Sequence, residues 1–281
     1  MSLALDRLKE KARQWEVTID EFWEAPGSVL AFGVSRGSRV VLKIIKHGGD
    51  EWRSGEVLQA FDGHGTVRVL DYDAGAVLLE RLEPGEPLVN LVRQGRDPAA
   101  TEILAEVMLQ MRGIDVPFAS AFIPTVLDWA RGFERYLDAG DQQISCDLVS
   151  EARSSYLSLA GSQGTSMLLH GDLQHYNVLV DSKRGWVAID PKGVVGEAEY
   201  EVGAILRNPV ELPEVFTSSA TIEQRLNRLA RMLSLDYQRA LAWGFAQAVL
   251  SAIWDFEDGY TVRPDHPALQ LAQVIRPLLQ D

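Results

Sequence analysis

The stretch LLHGDLQHYN (168–177) sets an aspartate, Asp172, and an asparagine, Asn177, five positions apart, after an apolar pair, a histidine and a glycine. Glycine lets a chain turn sharply as it leaves an apolar run, so the segment predicts a buried stretch opening into a loop. The residues just beyond it decide how that loop is used. NVLVDSKRGWVAID (177–190) reads as two short strands, VLV and WVAI, flanking a turn that contains Gly185, and it ends on a second aspartate, Asp190. A hairpin of that kind returns Asp190 to the side of Asn177. A carboxylate and an amide oxygen at one strand end suit a hard cation such as Mg2+, with water and phosphate oxygens completing its shell.

Working toward the N-terminus, the next informative residue is Lys43. It interrupts the apolar run VVLKII, and strand alternation puts it on the same face as Val41 and Ile45, where its ammonium needs an anion. An edge-strand lysine that snorkels to water would have the same pattern. The segment DEWRSGEVLQAF (50–61) predicts a helix with two carboxylates to pair with it, Glu51 and Glu56. On a helical wheel Glu51 borders the face of Val57, Leu58 and Phe61, whereas Glu56 falls nearer the opposite side with Trp52, which favours Glu51.

Around these residues the chain divides in two. Leu3 to Gln14 reads as an opening amphipathic helix, followed by a hairpin of VLAFGV (29–34) and RVVLKII (39–45), then the helix over 50–61 and two strands in VRVLDYD and AVLLERL. EPGEP (83–87) breaks this pattern, and helical periodicity follows in ATEILAEVMLQMRGI, VLDWARGFERYLDAG, EQRLNRLARML and YQRALAWGFAQAVLSAIW. The 177–190 hairpin is the one β segment expected among these helices. The expectation is an α+β chain of two lobes, an antiparallel β lobe with one helix over 1–82 and a larger, mainly helical lobe over 83–281.

Composition narrows the class. With 46% hydrophobic and 24% charged residues in 281, the chain is expected to be soluble and globular. The single cysteine, Cys146, cannot form an internal disulfide, and no signal-peptide pattern opens the chain, so a cytoplasmic location is expected. Residues 1–82 carry 13 acidic and 11 basic side chains, against 27 and 16 in the remainder, giving net charges of −2 and −11. Such an acidic surface repels nucleic acid and anionic membrane. It either steers a cationic small molecule or serves solubility alone.

Phosphoryl transfer asks for these parts in this order: an upstream lysine on a strand, a loop aspartate, an asparagine five residues on, and a later metal-binding aspartate. Asp172 would take the proton of an acceptor hydroxyl, Asn177 and Asp190 would hold Mg2+, and Lys43, with Glu51, would position the α and β phosphates of ATP. His170 is expected to orient the loop by hydrogen bonding. Gly27 and Ser28, before VLAFGV, can offer backbone donors to phosphate, although a simple turn explains them equally well.

The chain resembles the aminoglycoside phosphotransferase superfamily, whose members share a bilobed protein-kinase-like fold. H-G-D-x-x-x-x-N is that superfamily's hallmark, and GHGTVRVLDYD (63–73), LLERLEPGEPL (78–88) and AIDPKGVVGEAEYEVGAILRNP (188–209) are similar to the branch of streptomycin 6-kinases and hydroxyurea-resistance kinases. The resemblance implies ATP-dependent transfer of a γ-phosphoryl group to a small-molecule hydroxyl. It also implies a hinge over 79–82, where backbone groups of Glu80 and Leu82 meet adenine, and a role in cation binding for acidic residues of the C-terminal helices, here Asp255, Glu257 and Asp258 in SAIWDFEDG. Two departures stand out. DPKG (190–193) replaces D-F-G, removing a phenylalanine switch, and Glu201 occupies a position where many members have aspartate. A metabolite kinase acting on a sugar or amino alcohol, and a nucleotide-binding pseudokinase without catalysis, remain alternatives.

Overall fold

The computed structural model describes residues 3–114 and 123–279. The chain divides into two compact units, one formed by residues 1–87 with 177–193 and the other by 88–176 with 194–281. The 177–190 hairpin therefore belongs with the N-terminal sequence.

The first unit opens with helix α1 (Leu3–Gln14) and a five-stranded antiparallel sheet ordered β1-β2-β3-β5-β4, from β1 (Val17–Glu24), β2 (Ser28–Ser35), β3 (Ser38–Ile45), β4 (Val69–Asp73) and β5 (Ala76–Glu80). Strand β1 was not anticipated. After Val17 its side chains are mostly exposed, so VTIDEFWE carries no apolar alternation to announce it. One sheet face packs Val29, Ala31, Leu42, Ile44 and Leu78 with Ala4, Leu8 and Ala12 of α1. The other packs Val77 and Leu79 with Leu58, Val67, Leu82 and Val187, with Val41, Leu179 and Ile189 alongside. Both faces are thus covered, and Lys43 lies on the second. Residues 50–61 do not form one helix: Asp50–Arg53 is a 3-10 turn, and α2 (Ser54–Phe61) follows it. β6 (Pro84–Pro87), β8 (Val178–Asp181) and β9 (Gly185–Ala188) form a second sheet in the order β6-β8-β9, so the proline-rich EPGEP also supplies a short strand.

The second unit is mainly helical: α3 (Val89–Arg93), α4 (Asp97–Met111), α5 (Val126–Trp129), α6 (Arg131–Ala139), α7 (Cys146–Gly161), α8 (Ala198–Leu206), α9 (Pro213–Phe216), α10 (Ser219–Leu233), α11 (Tyr237–Glu257) and α12 (Pro267–Ile275). A two-stranded pair, β7 (Met167–Leu169) with β10 (Val194–Gly196), corrects the expectation of a single β segment among the helices. Strands of three residues, MLL and VVG, are too short to show a period of two.

Helix α11 is apolar on nearly every side, and Trp243, Phe245, Val249, Leu250 and Ile253 are all buried, as suits a central helix. Trp129, Phe133, Tyr156, Tyr200 and Trp243 meet in tilted or edge-on contacts with ring centroids 4.9 to 6.1 Å apart. Buried Arg225 of α10 clamps this unit. It donates to the carbonyls of Ile205 and Asn208, 2.8 and 2.7 Å away, and pairs with Asp97 at 2.6 Å. It thereby serves a carbonyl in the last turn of α8 that the helix itself leaves unbonded. Among the described residues, no helix is long and apolar enough to cross a membrane.

Candidate active site

In the first unit the site starts from the charge of Lys43. Its register opposite Leu30 and Val77, in the middle of the sheet, buries the side chain. Burial pulls its pKa down, but the charges of Asp190 and Glu51 outweigh that, and the ammonium is held above the ordinary lysine value. Lys43 Nζ donates to Glu51 Oε2 at 3.1 Å and to Asp190 Oδ1. Glu51 reaches it from the 3-10 turn, while Glu56 lies 3.7 Å from Arg53.

Asp190 reaches Lys43 from the far end of the hairpin. The Ile189 N–H donates to the Asn177 carbonyl at 2.8 Å, closing the β8–β9 ladder so that Asp190 follows directly beside Asn177. Asp190 has φ 62°, a left-handed conformation unusual for aspartate that costs about 1–3 kcal/mol and recurs at functional sites. Gly193 completes the turn. Its φ is +77°, and a Cβ there would come within 2.6 Å of Val57 on α2, so the DPKG loop requires glycine at its end. The fit to Mg2+ rests on donor chemistry: Asn177 and Asp190, at the two ends of one hairpin, offer an amide oxygen and a carboxylate, both hard oxygen ligands, which leave most coordination positions to water and phosphate.

The remaining candidates in this unit are less committed to a ligand. Glu80 ends β5; its N–H donates to the Arg68 carbonyl at 3.1 Å, and its carboxylate pairs with Arg184 and accepts the Arg68 N–H at 2.9 Å. Leu82 is buried in the apolar cluster on the Lys43 face of the sheet. Gly27 lies in the turn between β1 and β2 and Ser28 opens β2, so neither precedes the first strand. Their carbonyls accept the N–H groups of Lys46 and Ala25, each at 2.9 Å.

The second unit holds the aspartate of the H-G-D motif. Gly171, at φ +80°, turns the chain after β7. Buried Glu201 of α8 then gathers the loop. It accepts the N–H groups of His170 at 2.8 Å, Gly171 at 3.0 Å and Leu173 at 3.3 Å. The extra methylene relative to aspartate does not prevent this brace. Burial pushes the Glu201 carboxyl up to about 7, against the opposing effect of the three backbone donors. The Asp172 N–H donates to His170 Nδ1 at 3.3 Å, so the buried imidazole ties the loop together.

Asp172 Oδ1 accepts from Arg207 at 3.2 Å. Buried Arg207, just past α8, also donates to Gln247 Oε1 at 3.3 Å, and Gln247 Nε2 donates to the Tyr200 carbonyl at 2.5 Å. Sequence reading missed Arg207 as a site residue. Its only signals were a basic side chain closing the apolar run AIL and a glutamine interrupting the apolar run of α11. His175, from the same motif, is fully buried, and among the described residues neither ring nitrogen has a hydrogen-bond partner.

The three acidic candidates near the C-terminus do not form one cluster. Asp255 and Glu257 lie on the last turns of α11, which runs on to Glu257 instead of ending before them. Asp255 Oδ2 meets His266 Nε2 at 3.0 Å, and both Glu257 oxygens are taken by Arg135 at 2.6 and 2.9 Å. Exposed Asp258 caps the helix.

The profile of the aminoglycoside/hydroxyurea antibiotic resistance kinases matches residues 15–259, spanning both units. The chain belongs to this kinase family. It is therefore a small-molecule phosphotransferase. A streptomycin 6-kinase of Streptomyces glaucescens is 28% identical over 96% of this chain and 88% of its own length. A hydroxyurea phosphotransferase of Kitasatospora aureofaciens is 31% identical over 82% of this chain and 66% of its own. In structure, a thermostable mutant of the aminoglycoside phosphotransferase APH(4)-Ia, solved with ADP and hygromycin B, superposes with a TM-score of 0.69 at 18% identity, covering 95% of this chain and 97% of that one. The fold of this kinase is accordingly the bilobed protein-kinase-like α+β fold.

Proposed function

We propose that this kinase transfers the γ-phosphoryl group of ATP to a hydroxyl of a cationic, hydroxylated small molecule of the streptomycin type. The observation that carries the reading is the environment of Lys43: a buried ammonium neutralised by Glu51 and Asp190, with Asn177 next to Asp190. A buried cation shared by two acids can exchange one of them for phosphate oxygens, which is what positioning a nucleotide demands.

In this reading Lys43 holds the α and β phosphates, while the turn at Gly27 and Ser28 covers them. Glu80 N–H is already committed to the sheet, so adenine is read by the Glu80 carbonyl and the Leu82 N–H. Asn177 and Asp190 would hold Mg2+, which neutralises phosphate charge when bound. Asp172 accepts the proton of the acceptor hydroxyl as its oxygen bonds to the γ-phosphorus. The bond from that phosphorus to the bridging oxygen breaks, and ADP departs. Arg207 aims the Asp172 carboxylate through its hydrogen bond to Oδ1, and Glu201 fixes the loop that carries it. The names of the relatives support the acceptor class. Streptomycin carries guanidinium groups on a hydroxylated ring, and hydroxyurea carries a urea.

The test is an acceptor screen by coupled ADP release over aminocyclitol antibiotics, sugars and amino alcohols, with and without Mg2+. Mg2+-dependent turnover with streptomycin is expected. Turnover confined to sugars or amino alcohols would make this a metabolite kinase. Nucleotide binding with no acceptor-dependent turnover would return the pseudokinase reading.

A further inference from the structure

Arg207, the partner of Asp172, is fixed at both ends. Buried Arg225 holds the carbonyls of Ile205 and Asn208, which flank Arg207 in the chain, and the Arg207 guanidinium lies between Gln247 and Asp172. Gln247 comes from the apolar middle of α11, where its neighbours Phe245, Ala246, Ala248 and Val249 are all buried with it. A buried amide needs a partner for each of its ends. Gln247 Nε2 donates to the Tyr200 carbonyl at 2.5 Å, which leaves Oε1 to accept from Arg207 at 3.3 Å. The amide cannot be reversed, because a flipped side chain would set NH2 against a guanidinium and oxygen against a carbonyl. Gly203 of α8 makes room for it: a Cβ there would come within 2.4 Å of the Gln247 amide. Glycine inside a helix costs about 1 kcal/mol relative to alanine, and here it stands where Gln247 approaches most closely.

Neutrality matters as much as reach. Among the described residues Asp172 is the one carboxylate paired with Arg207. An amide at position 247 accepts one N–H without adding charge, so it steers the guanidinium and leaves its charge to Asp172, whereas a carboxylate in the same place would compete for it. We propose that Gln247 is a positioning residue for phosphoryl transfer: held by Tyr200 and admitted by Gly203, it sets the direction in which Arg207 offers its other N–H group to Asp172. The inference rests on the reading of Asp172 as general base and deepens it.

The experiment measures kcat and KM, for ATP and for streptomycin or another acceptor that wild type turns over, in wild type, Gln247→Met, Arg207→Met and the double variant, with thermal melts to verify folding. Gln247→Met keeps the length of the side chain and removes both hydrogen bonds. It is expected to lower kcat about tenfold with both KM values within about twofold of wild type, and to change kcat less than about twofold in the Arg207→Met background, as residues that act as one unit do. The same factor lost in both backgrounds would mean that Gln247 serves packing alone, and overturns the inference. A lower melting temperature with wild-type kcat also overturns it. Gln247→Asn, an amide one methylene short of Arg207, takes over if Gln247→Met fails to fold: a comparable kcat loss supports the inference, and wild-type kcat overturns it. Gln247→Glu keeps the shape and adds a competing charge, so it is expected to lower kcat at least as far as Gln247→Met, and wild-type kcat there counts against the inference in the same way. Wild-type turnover that is lost in Asp172→Ala but kept in the Gln247 variants removes this inference alone, whereas no turnover with any acceptor removes the general-base reading with it.

Discussion

Lys43 and Glu201 are both buried ionisable side chains, one in each unit, and the molecule neutralises them in opposite ways. Lys43 is balanced by two side-chain carboxylates, Glu51 and Asp190, each more than a third exposed. Glu201 is balanced by three backbone N–H groups that cannot move without unwinding the loop. The first arrangement is exchangeable: an incoming anion can take over one carboxylate's share of the ammonium. The second is fixed, and serves to hold a shape. In the proposed reading Lys43, paired with side chains, meets the nucleotide, and Glu201, paired with the backbone, positions the loop.

Breaking the exchangeable pair should have the larger effect. Lys43→Met is expected to lower kcat/KM for ATP by about 100- to 1,000-fold, the usual range for losing a preorganised donor to developing charge. It also leaves Glu51 and Asp190 facing each other without their cation. Steady-state kinetics on the folded variant give the number, and a loss below tenfold would mean that Lys43 serves only the sheet.

Glu201→Gln tests the fixed pair. An amide NH2 would then face backbone donors, each unsatisfied group costing about 1–3 kcal/mol. We expect kcat to fall by about tenfold or more while the ATP KM stays near its wild-type value. The pH dependence carries the same information. The brace needs the ionised carboxylate, so wild-type kcat should rise with pH through about 7. Stability runs the other way. A carboxyl raised from 4.5 to about 7 on folding contributes stability fully below pH 4.5, and that contribution is lost as pH rises through 7. A kcat profile flat from pH 6 to 8 would contradict this account of the brace.

His175 supplies the smaller, opposing stability effect. Burial, and then the charge of Arg225, push its pKa well below the ordinary histidine value. A depressed base is stabilising above its unfolded pKa of about 6.5, and that stability is lost as pH falls below it. Replacing it by Leu removes two unpartnered nitrogens, so His175→Leu should flatten the melting temperature between pH 5 and 6.5. Parallel curves for the two proteins would argue against it. Smallest of all, Glu257→Gln breaks a surface pair worth about 0.2–1 kcal/mol and should leave the streptomycin KM unchanged.

The parts of the site legible in the sequence were those set by short spacing. Asn177 and Asp190 lie at the ends of one hairpin, and Lys43 announced itself as a charge in an apolar strand. Glu51 was favoured over Glu56 on a helical wheel, although the segment begins as a 3-10 turn, and the structure pairs Glu51 with Lys43. What the sequence concealed depends on contacts between distant segments. Arg207 meets Asp172 from 35 residues away. Strand β1 has too little buried surface, and β7 and β10 too few residues, to leave a periodic trace. The acidic stretch after Trp254 looked like one cluster, but the structure divides it among His266, Arg135 and solvent.

The most direct test of the central claim is transfer of 32P from [γ-32P]ATP to an acceptor found in the screen, in wild type and Asp172→Ala, with nucleotide affinity measured in parallel. Asp172→Ala is expected to bind ATP as wild type does and to lose transfer by about 100- to 10,000-fold, the range for removing a general base. Undiminished transfer by Asp172→Ala would contradict the assignment of the H-G-D aspartate, and with it the mechanism built around it.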